Sequence, residues 1–69
     1  MGGPENEPRE VYFEFTAIGS AVRVAAIDAA TGIEVTVMGP ATAAKADLER
    51  LALAKLRARV AREAGSRNM

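Results

Sequence analysis

The sequence predicts an α+β domain: a three-stranded antiparallel meander followed by one long C-terminal helix packed on one sheet face, in the order β-β-β-α. Three observations carry this. Apolar residues recur with period two in stretches between Val11 and Met38. Two glycine-bearing breaks, Gly19-Ser20 and Asp28 to Gly32, divide that region into three. Beyond Gly39-Pro40, the chain from Ala43 to Ala64 holds neither glycine nor proline and consists mainly of helix formers.

In the first strand, Val11 to Ile18, one face carries Val11, Phe13, Phe15 and Ala17. The other carries Tyr12, Glu14, Thr16 and Ile18. Gly19-Ser20 suits a type II′ hairpin turn, because glycine accepts positive φ without steric cost. A two-residue loop pairs Ile18 with Ala21, and hence Phe15 with Val24 and Phe13 with Ala26. Slipping the register by one residue would turn both phenylalanines to the polar side. The second strand is then Ala21 to Asp28. Ala29 to Gly32 form a four-residue loop, with Asp28 capping the turn and Gly32 in the left-handed position. Pairing Asp28 with Ile33 sets Ala26 opposite Val35 and Val24 opposite Val37, so the third strand runs from Ile33 to Met38.

Gly39-Pro40 is expected to end the sheet, since proline has no N–H for a ladder. Thr42 is the expected N-cap and Gly65 the expected stop. Asp47 and Glu49 in the early turns and arginines in the late ones complement the helix dipole. This helix should cross the face made by Phe13, Phe15, Val22, Val24, Val35 and Val37. Residues 1–9 are expected to be a disordered tail, 10–65 one domain and 66–69 a frayed tail.

At 69 residues the chain makes one small domain. Folding hides only about 60% of the surface of a chain this size, so a lone copy is marginally stable. There is no cysteine and no histidine. Disulfides, thiolate metal sites and the usual general base are therefore out of reach. The serines are Ser20, in a turn, and Ser66, in the tail. Neither has a base nearby in the pattern. No activity, cofactor or metal is expected. Asp28 reads as a turn cap, and Arg23 as the partner of Glu14 or Glu34. No apolar run approaches the ~20 residues of a membrane span. An acidic, proline-containing start is unlike a signal peptide, so the cytoplasm is the expected location.

The remaining clues are surfaces. Leu48, Ala52, Leu56 and Val60 form one helical ridge, while Leu51 and Leu53 flank it about 160° apart. That is wider than one sheet face needs. The far side of the sheet also carries Tyr12, Ile18, Ala25, Ile27 and Met38. A protein–protein interaction module acting as a homodimer, and possibly binding another protein, is the expectation. Its candidate surface is Tyr12, Ile27, Met38, Leu51 and Leu53. The alternative is nucleic-acid binding through Arg50, Arg57, Arg59 and Arg62. With Leu48 at zero, the last three point to about 180°, 20° and 320°. They make no single stripe to follow phosphates, so nucleic acid is not the expected partner. An accessory subunit of a larger complex is the third reading.

Two resemblances accompany these readings. Gly39 to Asp47 resembles the helix start in the C-terminal half of the double-stranded RNA-binding domain. That implies the meander-then-helix topology. The lysines with which that family contacts phosphate would fall on Ala43, Ala44 and Asp47, so those charges are missing here. The second rests on Val11-Tyr12-Phe13-Glu14-Phe15, Ala26-Ile27-Asp28, Thr31-Gly32-Ile33-Glu34-Val35, Gly39-Pro40 and Ala54-Lys55-Leu56. As a set these motifs resemble a family of short uncharacterised alphaproteobacterial proteins, classed as a domain of unknown function. The resemblance implies a bacterial, stand-alone, cytoplasmic protein, with no activity to carry over.

Overall fold

Glycine decides where the sheet turns. In the computed structural model, which describes residues 10–67, Gly19 has φ 60° and Gly32 φ 76°, and no other described residue has positive φ. Positive φ at Gly19 but not at Ser20 is the type II′ pattern. It joins β1 (Val11–Ile18) to β2 (Ala21–Asp28). The pairing is the expected one, from Ile18 opposite Ala21 to Phe13 opposite Ala26 and Val11 opposite Asp28.

The second turn is built on Asp28. Its carboxylate is buried, and Oδ2 accepts from the Thr31 N–H at 3.0 Å and the Thr31 hydroxyl at 2.7 Å. The Gly32 N–H donates to the Asp28 carbonyl at 2.7 Å, and the Asp28 N–H to the Ile33 carbonyl at 2.9 Å. This closes the turn onto β3 (Glu34–Pro40), with Ala26 opposite Val35 and Val24 opposite Val37. The sheet order is β1-β2-β3.

Gly39-Pro40 does not end the sheet. Gly39 lies opposite Val22 and Pro40 opposite Ala21. The Ala41 N–H donates to the Ser20 carbonyl just beyond, at 2.9 Å. Antiparallel ladders alternate, so the odd-numbered residues of β3 bond to β2 and the even-numbered ones face away. Pro40 therefore stands where no N–H is needed.

The helix α1 (Lys45–Arg67) begins later than a Thr42 cap implies. The Ala43 N–H donates to the Pro40 carbonyl at 2.9 Å, so Thr42 is spent in a tight turn that reverses the chain. Ala44 takes the capping place, its carbonyl accepting from Asp47 at 3.1 Å and Leu48 at 3.2 Å. At the other end α1 continues through Gly65, which lacks the positive φ of a left-handed stop. Ser66 and Arg67 of the expected frayed tail are thus helical, whereas residues 1–9 and 68–69 lie outside the described residues.

The core joins Val24, Ala26 and Val35 of the sheet to Leu48, Ala52 and Leu56 of the ridge. Val60 packs against its end. The helix lies over β2 and β3. It is not centred on the expected six-residue face: Phe13 and Phe15 of β1 reach the core from the side and stay half-buried.

Candidate interaction surface

One sheet face is covered by α1, and the other is open. Its residues follow from the register in four rows: Ile18-Ala21-Pro40, Thr16-Arg23-Met38, Glu14-Ala25-Thr36 and Tyr12-Ile27-Glu34. Tyr12 is 53% exposed, Ile18 46% and Met38 56%, where isolated core-type residues would be near zero. Ile27 is half-buried beside Tyr12, and the small Ala25 is buried between longer neighbours.

The expected surface thus divides into separate pieces. Tyr12 and Ile27 are cross-strand neighbours, and Met38 sits two rows away opposite Arg23. Leu51 and Leu53 are on the helix, in the other layer. Leu51 is 59% exposed and Leu53 half-buried. Between the flanks, Lys55 donates to the Thr36 carbonyl at 2.9 Å, which puts that side of the helix at the outer edge of β3. Near the helix start, the Lys45 ammonium lies 5.0 Å from the centre of the Phe15 ring.

The basic residues do not gather. Arg50 pairs with Asp47 at 2.9 Å and Arg59 with Glu63 at 3.0 Å, both at helical spacing, the first pair largely exposed and the second about half-exposed. Such pairs contribute only ~0.3–0.5 kcal/mol each. Arg57 and Arg62 are exposed. Arg23 does not pair with Glu14 or Glu34: among the described residues it forms no ion pair, since it stands opposite Thr16 and Met38 rather than a carboxylate.

Chemistry on this frame is sparse. Asp28 is committed to its turn. An open depression beside the first hairpin is lined by Phe15, Ala17, Val22, Ala43 and Leu48, with Lys45 as its charged residue. Among the described residues no three carboxylates come together as a metal site would require. Tyr12 has its phenol pushed above the ordinary 10.0 by the neighbouring Glu10 carboxylate, which repels the phenolate and accepts a hydrogen bond from the hydroxyl.

One feature was readable in the pattern but is absent from the expected surface. A meander leaves its first and last strands as edges, and Val11–Ile18 contains no lysine, proline or glycine to blunt one. The Ala29 N–H donates to the Glu10 carbonyl at 3.0 Å, so the even-numbered residues of this strand bond to β2. The main-chain groups of Val11, Phe13, Phe15 and Ala17 point off the free edge.

A family model described as a domain of unknown function (DUF6898) matches residues 8–63. No curated protein and no solved structure matches the chain.

Proposed function

The chain belongs to the DUF6898 family, a domain of unknown function, and we propose that it is a small protein–protein interaction module acting as a homodimer. The setting we propose is the alphaproteobacterial cytoplasm, which suits the motifs resembling that family and a chain without cysteine. The observation that carries the reading is the off-centre helix. It covers β2 and β3 on one side only, leaving large apolar side chains on the open face and two half-covered phenylalanines on β1. For a domain this small, covering part of that surface adds apolar burial that a lone copy lacks. A further protein partner on the remaining surface, as an accessory subunit would have, is compatible with this reading.

The arginines favour it over nucleic-acid binding, because Arg50 and Arg59 already hold acidic partners. The test is sedimentation equilibrium at micromolar concentration in low and high salt, with duplex and single-stranded nucleic acid titrated in parallel. A two-chain mass that persists in high salt, without nucleic-acid binding, is the expected result. A single-chain mass throughout, or salt-sensitive binding of nucleic acid lost in the Arg57→Ala, Arg62→Ala double variant, would overturn it.

A further inference from the structure

The two edges of the sheet are treated differently. On β3 the outward positions are the even-numbered ones. There Pro40 offers no N–H, and the Thr36 carbonyl is already taken by Lys55 at 2.9 Å. Proline on an edge strand, and a side chain from another element that takes up an outward carbonyl, both hinder pairing with strangers. β1 has neither. Its edge is eight residues long, and its outward groups belong to Val11, Phe13, Phe15 and Ala17, whose side chains lie on the helix-bearing face. Phe13 and Phe15 are half-buried there because α1 sits over the other two strands.

We infer that the homodimer forms edge to edge, β1 pairing antiparallel with β1 of a second copy to make one continuous six-stranded sheet. This rests on the homodimer reading above and names its surface. A strand edge with free donors and acceptors is completed by another strand, and a two-fold axis makes the same strand serve both sides. Both helices then lie on one face of the joined sheet, and the phenylalanines of the two copies meet between them.

Charge selects the register. If paired residue numbers sum to 28, Glu14 faces Glu14 of the second copy, and like charges directly opposite are destabilising. If they sum to 26, Glu14 faces Tyr12 but lies diagonal to both Glu10 and Glu14 of the second copy. A sum of 30 leaves one such diagonal approach. It sets Phe15 opposite Phe15, Phe13 opposite Ala17, Glu14 opposite Thr16 and Tyr12 opposite Ile18, the last an aromatic–β-branched pair of the favourable kind. Larger sums shorten the ladder. The open face, with Ile27 and Met38, stays free in this arrangement.

The test uses the absence of native cysteine. Glu14 and Thr16 are exposed. In the inferred ladder they form a non-hydrogen-bonded pair with Cα atoms about 4.5 Å apart, inside the disulfide range of roughly 4.4–6.8 Å. Glu14→Cys and Thr16→Cys chains, mixed and mildly oxidised, are expected to give a cross-linked dimer of one chain of each kind. Neither variant alone should cross-link appreciably. The second variant is Ala17→Pro. The Ala17 N–H points off the edge, so the ring removes no bond within the chain but removes one from the intermolecular ladder. It is expected to keep the circular dichroism spectrum and raise the dimer dissociation constant at least about tenfold. A dimer as tight as the parent's in Ala17→Pro, no mixed cross-link from a dimeric parent, or a Glu14→Cys chain that cross-links to itself would overturn the inference while leaving the homodimer standing. A parent that is a single chain at every concentration would overturn both. Should Ala17→Pro fail to fold, the cysteine mixture decides alone.

Discussion

At the scale of single residues, Asp28 does most to hold the fold's local geometry. Its buried carboxylate collects both the amide and the hydroxyl of Thr31 at the turn that sets the β2–β3 register. Asp28→Ala leaves those donors without their acceptor and is expected to cost ~1–3 kcal/mol. Asp28→Asn keeps an oxygen to accept and should cost less. Urea unfolding of the two variants checks the order, and equal losses would contradict it. Gly39 serves a different purpose. A Cβ there would meet Leu48 Cδ2 at 2.6 Å, so the missing side chain is what lets the helix's first core leucine rest on the β3 backbone. Gly39→Ala is expected to destabilise by ~1–3 kcal/mol through overpacking. In a Leu48→Ala background that penalty should largely disappear, as a double-mutant cycle would show. Tyr12 is the sole tyrosine and there is no tryptophan, so near-ultraviolet absorbance follows its ionisation alone. Glu10 disfavours the phenolate, so the midpoint lies above 10.0, and Glu10→Gln should lower it. An unchanged midpoint would show that Glu10 is not the cause.

At the scale of elements, the strands were legible and the helix ends were not. Two glycines in left-handed backbone set the loop lengths, and period-two patterning then left one register in which both phenylalanines face the core. The alanine-rich stretch from Ala43 to Ala64, free of glycine and proline, reads as a helix, but propensity does not say where the chain must first reverse. The Ala43-to-Pro40 hydrogen bond spends Thr42 on that reversal. Pro40 stays within the sheet for a related reason: its effect depends on which side of an edge strand its nitrogen faces, a matter of parity rather than composition. Gly65 likewise reads as a stop only if its φ is positive, and it is not. Since a Cβ on Gly65 would meet nothing within 4 Å, Gly65→Ala is expected to stabilise by up to ~1 kcal/mol through helix propensity. A glycine acting as a left-handed stop would respond with the opposite sign, and thermal unfolding distinguishes the two.

At the scale of the whole molecule, the pattern specified which faces are apolar but not how the helix divides its cover among three strands. That follows from close approaches a sequence does not display, at Gly39 under Leu48 and at the fully buried Ala52. The consequence is that Tyr12, Ile27 and Met38 lie in one layer and Leu51 and Leu53 in the other, so the five residues that read as one candidate surface are parts of several. What unites the exposed apolar residues of β1 is instead the unprotected edge of that strand. Site-resolved amide hydrogen exchange of the full chain, compared at concentrations well below and well above the dimer dissociation constant, is the decisive measurement. The amides of Glu14 and Thr16 bond to β2 in every state and serve as internal references. The amides of Phe13, Phe15 and Ala17 are expected to exchange rapidly when the chain is dissociated and to become protected as it associates. Association with those three amides still exchanging freely would contradict it.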